Sequence, residues 1–526
     1  MKKLPIGIQA IEEIIEKGYV YVDKTALISQ LINEGKYYFL SRPRRFGKSL
    51  LLSTLKAIFN GKKELFKDCQ IYHTQYKWQK CPILHFDFSQ TPTDSSQNLE
   101  TALKETLEYV AESYGVSLRG SSLQLQLGSL IRELSKDNQV VVLVDEYDKP
   151  LIDNLQRPEI VDSNRDLLRN FFGTLKGLDD HLKFVFVTGV TKFSQVSLFS
   201  GFNNLNDITL SPDYATLLGY TESEIHHFFQ DRVQKLVAKK SHSAEKSKEE
   251  LLSDMKKWYN GYRFSWGMPA VYNPYSTLNF LQTGRVQNYW FRTGTPSFLI
   301  KQIQEWPQSV IPLSGIMATE DELLNIHTPT LINLKALMWQ TGYLTIQDYN
   351  PTNHLYRLDF PNLEVRKAFF NSLIQDFAKI ESSSVNFIGL DCQKNLEDQN
   401  LKDFFKIINV FFAKIPYSLF ANRDEATYHA LFLVLLEGMG IRARAEEQTN
   451  IGRIDLIVEI EKIIYIFEFK LDKSAEDALS QIAIKNYKEK YLNNYQLIIA
   501  VGVNFSSKTH NVSDWKAIPS STEDLL

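Results

Sequence analysis

Between Tyr37 and Phe59 the sequence leaves few architectures open. An apolar, strand-like run ends at Leu40 and opens into Ser41-Arg-Pro-Arg-Arg-Phe-Gly-Lys-Ser49, after which Leu50–Phe59 has helical periodicity. A strand, a loop closing on Gly-Lys-Ser and a helix form the context in which loop amides and a helix N-terminus cradle phosphate. In that reading Lys48 bridges the β- and γ-phosphates and the Ser49 hydroxyl ligates Mg2+. The usual pattern places a glycine five residues before Gly47, where this chain has Arg42. Taken alone, the loop is equally well read as a basic turn followed by a helix cap.

A second element separates the two readings. Val140-Val-Val-Leu-Val144 is continuously apolar, as a strand buried on both faces must be, and it ends in Asp145-Glu146. Adjacent carboxylates at such a strand tip suit a nucleotide enzyme: Asp145 holds the Mg2+ shell and Glu146 polarises the attacking water. The next strand-like run, Phe184–Val187, ends in Thr188-Gly-Val-Thr191, so Thr188 is the candidate γ-phosphate sensor. The nucleotide-binding set is therefore Arg44, Arg45, Phe46, Gly47, Lys48, Ser49 and Leu50 with Asp145 and Thr188, and Glu146 is the catalytic member. Arg44 and Arg45 add phosphate contacts or pair at the surface. Arg165 and Arg169 are read either as an arginine finger or as helix-surface ion pairs.

With 526 residues and 44% hydrophobic content, the chain is too long for one core. Basic and acidic residues nearly cancel, 59 against 62, so a nucleic-acid or membrane partner must be recognised by a local site and not by global charge. Cys69, Cys81 and Cys392 are too few and too scattered for a disulfide framework or a four-ligand zinc site, which suits a reducing compartment. No apolar run approaches the roughly 18 residues a membrane span needs, and the N-terminus lacks the apolar core of a signal peptide. The expected protein is soluble and cytoplasmic, with no membrane partner.

Strand-like runs at Tyr37–Leu40, Pro82–Phe86, Val140–Val144 and Phe184–Val187 alternate with helical patterns, the rhythm of an α/β domain with a mostly parallel sheet. Helical patterns dominate from about Thr221, with the polar Lys239–Lys248 read as a solvated loop or helix face. A mixed stretch carries the hairpin-like pieces Tyr343–Gln347 and Leu355–Asp359. β-rich patterning returns in Ile454–Leu471 and Tyr495–Val503. The expected division is 1–216 for the ATPase-like domain, 217–300 for a helical lid, 301–403 for a middle region of unassigned architecture, and 404–526 for a C-terminal domain.

Tyr21-Val-Asp-Lys-Thr25, the Tyr37–Ser49 run, Val144-Asp-Glu-Tyr-Asp148 and Thr188-Gly-Val-Thr-Lys-Phe193 together resemble the bacterial AAA-ATPase-like family. The resemblance continues through Trp258-Tyr-Asn-Gly-Tyr-Arg263, Tyr272-Asn-Pro-Tyr275 and Tyr289-Trp-Phe-Arg-Thr-Gly-Thr-Pro296. It implies a P-loop ATPase in which an arginine-rich loop replaces the glycine-rich one, so that Arg42 is a family trait. The Trp258–Arg263 motif is read as an aromatic turn packing the lid in preference to a base-binding element.

Near the C-terminus, Ile454–Ile460 and Ile463–Leu471 are strand-like runs separated by Glu461-Lys462. A hairpin centred there sets Asp455 opposite Glu468, and alternation puts Glu468 and Lys470 on one side of their strand. Two carboxylates beside a lysine bind a hard divalent cation and orient a water for phosphodiester hydrolysis. The spacing matches the PD-(D/E)xK nuclease signature, with Ile454 where that pattern has proline, and residues from Asn422 to about Val503 resemble the domain of that type often fused behind an AAA-ATPase-like one.

That resemblance implies a metal held by Asp455 and Glu468, with the Phe469 carbonyl completing the shell and Lys470 stabilising the hydroxide or phosphorane charge. Glu425 and Gln481 are catalytic supports, Tyr487 is either site or core, and His429 is a packed helix histidine. Glu446 or Glu447 could replace Glu425 as the extra acid.

The expected fold class is thus α/β, an AAA-like P-loop domain with a helical lid, a mixed middle region, and a restriction-endonuclease-like C-terminal domain. The expected function is ATP hydrolysis coupled to a metal-dependent nuclease. ATP and Mg2+ are the expected cofactors, Mn2+ being an alternative at the nuclease site. Nucleic acid, DNA before RNA, is the expected partner, and a homo-oligomer is compatible with the sequence. The alternative is an ATP-dependent switch whose C-terminal fold binds nucleic acid or a protein without cutting.

Overall fold

The structure, a computed structural model, describes residues 1–192, 205–240, 248–291, 299–300, 303, 315–324, 334–378, 382–420, 424–492 and 494–521. Most of the polar Lys239–Lys248 stretch, Phe193, Asn422, residues 292–296 of the aromatic motif and part of the 301–403 region lie outside the described residues. The chain divides into two compact units, Met1–Trp290 with Met317–Asn362, and Phe291–Ile316 with Leu363–Leu526.

The first unit is built on β1 Tyr37–Ser41, β2 Ile83–Asp87, β3 Val140–Asp145, β4 Leu182–Gly189 and β5 Asn206–Asp207, in the order β2-β3-β4-β1-β5. Every pairing in this sheet is parallel. Parallel strands need crossover helices, which cover the faces and explain why all six residues of β3 are buried. The order places β4 between the loop-bearing strand β1 and the acid-bearing strand β3, so the C-terminal ends of all three meet at one edge, where open α/β sheets bind ligands.

A helical layer follows. Thr221 and Glu224 form a capping box that starts the helix Glu222–Phe228, and Phe229, Val233, Leu251, Met255, Tyr259, Leu278 and Phe280 bury one another among these helices. Leu4, Val20 and Val22 join that core. Lys24 pairs with Glu224 at 2.6 Å and donates to the Thr216 carbonyl at 2.8 Å. The Tyr21–Thr25 motif therefore fastens the chain start to the helical layer.

The expected single 301–403 region falls across the division between the units. Its hairpin pieces form β7 Thr345–Asn350 and β8 Leu355–Asp359, antiparallel to each other and joined by β6 Ile316–Ala318 in the order β6-β8-β7. Residues 317–362 group with the ATPase-like unit, whereas Leu363 onward belongs to the second. Contacts between segments distant in sequence set this boundary, and local composition carries no trace of them.

The second unit combines the helices Leu363–Ala378, Leu401–Phe412 and Glu425–Gly438 with a mixed sheet. Its strands are β9 Ala443–Gln448, β10 Arg453–Ile460, β11 Ile463–Leu471, β12 Leu497–Ser506 and β13 Asn511–Ser521, in the order β13-β12-β11-β10-β9. Only β11 and β12 run parallel, joined through the helix Ala475–Ile484; the other neighbours are antiparallel. Glu437 is buried and accepts from Arg366 through both carboxylate oxygens, each at 2.7 Å, and from the Ala443 amide at 2.7 Å. Arg366→Ala should destabilise this unit by about 3–5 kcal/mol, because it strands a buried carboxylate. Arg366→Met combined with Glu437→Gln should recover most of the loss, as read from urea unfolding by circular dichroism; equal losses in both variants would disprove the account.

Among the described residues no helix is long and apolar enough to cross a membrane.

Candidate functional site

In the first unit, the loop after β1 turns through left-handed backbone at Arg45 (φ 66°) and Gly47 (φ 95°), and Gly47 caps the helix Lys48–Phe59. Arg42, at the position of the absent glycine, is 1% exposed. Its guanidinium donates to the carbonyls of Ser41 at 2.9 Å and Thr209 at 2.8 Å, and lies 4.0 Å from the Phe264 ring centroid. Burial lowers its pKa to about 9. Arg42 thus holds the root of the loop from below, a structural reason for tolerating arginine there.

Lys48 is buried, and its ammonium donates to the Arg42 and Pro43 carbonyls at 2.9 and 3.1 Å. It makes no ion pair among the described residues. Burial pushes its pKa down, against the pull of Asp145, Glu146 and Asp148. The Ser49 hydroxyl donates to Asp145 Oδ2 at 2.6 Å, and Thr188 donates to Asp145 Oδ1 at 2.7 Å. Ser49, Asp145 and Thr188 therefore converge. Glu146 has left-handed backbone (φ 52°), and its carboxyl is raised above the ordinary range by burial, with Lys48 opposing. A hydroxyl hydrogen-bonded to a carboxylate, with a buried ammonium held nearby by loop carbonyls, is a donor set suited to a Mg2+–triphosphate.

Other loop residues divide between surface and packing. Arg44 and Arg45 are exposed; Arg45 lies 5.0 Å from the Tyr275 ring centroid, and the Arg44 carbonyl accepts from Trp290 Nε1 at 3.0 Å. Phe46 is buried against Tyr262 and Phe264, with ring centroids at 4.8 and 5.4 Å, and Leu50 lies half-buried in the first turn of the helix. The Trp258–Arg263 turn thus packs on the phosphate loop itself. Arg165 and Arg169 pair with Asp162 and Asp166 on their own helix.

Asp148 closes the Val144–Asp148 motif, but the sequence assigns it no role. It is buried and accepts from the amides of Val190 and Thr191 at 3.0 and 2.6 Å and from the Thr191 hydroxyl at 2.8 Å, fixing the end of β4 against that of β3. Its signals in the sequence are that motif and its place as a second acid three residues after Asp145.

In the second unit, β10 and β11 pair from Leu456↔Phe467 to Ile460↔Ile463, the register that sets Asp455 against Glu468. The ladder ends at Leu456↔Phe467, one pair short of them, and the Asp455 carboxylate accepts the Phe469 amide at 2.9 Å. Glu468 is 1% exposed; Lys470 donates to its Oε1 at 3.3 Å, while its Oε2 is buried with no hydrogen-bond partner among the described residues. Burial and the neighbouring Asp455 push the Glu468 carboxyl up to about 8. Asp455 is likewise raised, chiefly by burial. Two desolvated acids, one with an orphaned oxygen, fit a divalent cation between them.

Among the described residues no three His, Cys, Asp or Glu side chains converge to hold a metal. A cation such as Mg2+, held by one or two carboxylates with water and phosphate filling the shell, needs no third. Glu425, at the start of its helix, accepts the Leu471 amide at 3.0 Å and so braces the end of β11. The Phe469 carbonyl accepts from Lys470 at 2.9 Å. Tyr487 donates to the Arg453 carbonyl at 2.7 Å and lies within hydrogen-bonding reach of Gln481. His429 is buried with its ring 4.9 Å from Phe469, and burial lowers its pKa to about 3, so it is a neutral packed group. Glu446 pairs with Arg453, and its carboxyl is raised by burial and by Asp455; Glu447 pairs with Lys490 at 2.6 Å.

Comparison with known proteins agrees with both halves. Residues 5–199 match the family model described as a predicted AAA-ATPase, and residues 423–515 match that of the PD-(D/E)XK nuclease superfamily. A protein of Azotobacter chroococcum mcd 1, described as "Uncharacterized protein in vnfD 5'region", is 38% identical over 527 residues, spanning 97% of this chain and 98% of that protein. The chain belongs to the AAA-ATPase-like family with a C-terminal PD-(D/E)XK domain. No solved structure matches this AAA-ATPase-like protein. The similarity to that relative extends across both matched regions of this chain.

Proposed function

We propose that the chain hydrolyses ATP in its first unit and, under control of that nucleotide, cleaves nucleic acid, DNA before RNA, in its second. One observation carries the reading: a phosphate-binding set (Lys48, Ser49, Asp145, Thr188) and a desolvated carboxylate pair beside Lys470 occur in a single polypeptide.

At the first site Lys48, released from the Arg42 and Pro43 carbonyls, neutralises charge on the β- and γ-phosphates. Glu146, its carboxyl raised by burial and so tuned toward proton transfer, orients the attacking water and takes its proton. Thr188 holds Asp145 in one orientation.

At the second site Asp455 and Glu468 would hold Mg2+ or Mn2+, which supplies a water acidified toward hydroxide and a clamp on the phosphate. Lys470 sits beside Glu468 and offsets the negative charge that accumulates on the phosphoryl oxygens. Glu425, through the Leu471 amide, and Tyr487, through the Arg453 carbonyl, hold the strand ends that carry these groups, and Gln481 lies beside Tyr487.

The test is cleavage of linear, circular and branched DNA by the whole chain, with and without ATP, a non-hydrolysable analogue and a chelator. Expected are chelator-sensitive cutting, a change of about fivefold or more in cutting rate between nucleotide states, and a DNA-dependent change in ATP turnover, since coupling between sites acts in both directions. Binding of DNA without cutting under every metal condition would instead establish a non-cleaving switch. Rates indifferent to nucleotide and to DNA would show two tethered but independent domains.

A further inference from the structure

The segment 317–362, which sequence reading left as unassigned middle region, holds the ATP site at two places. The first is the end of β4. Gln340, in the helix Leu334–Thr341, is 2% exposed, and its Oε1 accepts the Lys192 amide at 2.7 Å while its Nε2 donates to the Leu323 carbonyl at 2.6 Å. The two partners fix the amide's orientation, because an amide N–H can only donate and a carbonyl can only accept. Lys192 directly follows Thr191, which is bonded to Asp148, and it lies four residues beyond Thr188, which is bonded to Asp145.

The second place is the phosphate loop. Gly342 adopts φ 89°, and a Cβ there would lie 2.7 Å from the Pro43 ring, so only glycine allows this approach. The Pro43 carbonyl is one of the two that hold Lys48. Tyr343, the next residue, packs on Trp290 with ring centroids 5.3 Å apart, and Trp290 donates to the Arg44 carbonyl.

We infer that Gln340 is a positioning residue for ATP hydrolysis: it pins the end of β4, and with it Thr188, to a segment that also braces the phosphate loop. The inference rests on the ATPase reading above. Binding draws mainly on the loop and Lys48, which stand on β1 and its helix. Hydrolysis also needs Asp145 and Thr188 held at a fixed place relative to that loop. Loosening β4 should therefore slow turnover while sparing affinity, a division that a general loss of fold would not produce.

The test compares the wild-type chain with Lys48→Ala, Gln340→Met and Gln340→Glu. Methionine keeps the volume and loses both hydrogen bonds, whereas glutamate keeps the acceptor that Lys192 needs. Gln340→Met should lower kcat for ATP about fivefold to tenfold, the scale of one or two lost buried hydrogen bonds, with KM and analogue affinity within about twofold. Gln340→Glu should restore part of the kcat, since it keeps the acceptor for the Lys192 amide but sets its second oxygen against the Leu323 carbonyl. Wild-type kcat in Gln340→Met, or a parallel fall in kcat and affinity that glutamate does not rescue, overturns the role of Gln340 and leaves the ATPase reading standing. A wild-type chain that hydrolyses no more ATP than Lys48→Ala overturns the ATPase reading and the inference together.

Discussion

Asp455→Asn should lower the proposed nucleic-acid cleavage by more than about a hundredfold, since losing even an outer partner of a metal ligand costs about 10–100-fold. The substitution is chosen to remove charge and spare the fold. An asparagine carbonyl can still accept the Phe469 amide that Asp455 accepts at 2.9 Å, so the local backbone of β11 keeps its partner. Burial raises the carboxyl of Asp455, and Asp455 in turn raises that of Glu468. Neutralising one of two crowded acids relieves repulsion, so Asp455→Asn should unfold at the same temperature as wild type or higher. ATP turnover without DNA should stay within about twofold, because the substitution lies in the second unit and leaves every residue of the proposed ATP site unchanged. Activity lost with stability kept identifies a ligand; activity lost with stability is a packing defect. Undiminished cutting in the variant would exclude Asp455 and turn attention to Glu446, whose burial-raised carboxyl senses Asp455.

What could be read from the sequence follows from how local each signal is. The parallel sheet was legible because a strand buried on both faces must be continuously apolar, as Val140–Val144 is. The β10–β11 register was legible because a two-residue turn at Glu461-Lys462 leaves little freedom in pairing. Asp145 and Ser49 could be named because their chemistry is tied to loop and strand ends. Arg42 could be marked as a departure but not explained, since its partners at Thr209 and Phe264 are remote in sequence and contribute only carbonyl oxygen and a ring face. Gln340 was illegible for the same reason: a lone buried amide on a short helix has no periodic or motif signature. Glu425 can be named from its position at a helix start, whereas its bond to the Leu471 amide, which makes it a brace for the strand end, joins residues 46 apart and leaves no mark in the sequence.

Lys48→Ala removes the cation aimed at the phosphates and should lower ATP turnover by about a hundredfold or more, the usual loss when one preorganised charge donor is taken from a transition state. It should also weaken binding of an ATP analogue. Lys48 is buried, and burial already works against its charge, so its loss relieves a desolvation cost; the fold should persist and the defect should be one of chemistry. Glu146→Gln separates the two steps. The amide keeps the size of the side chain and leaves Lys48, Ser49 and Asp145 in place, so analogue affinity should stay within about twofold while kcat falls by about 10²–10⁴, the usual contribution of a positioned general base. A variant that binds and does not turn over then becomes a probe of the second unit: if the ATP-bound state sets the cutting rate, Glu146→Gln with ATP should match the wild-type chain with the non-hydrolysable analogue. Wild-type turnover in both Lys48→Ala and Glu146→Gln would refute the assignment of this site.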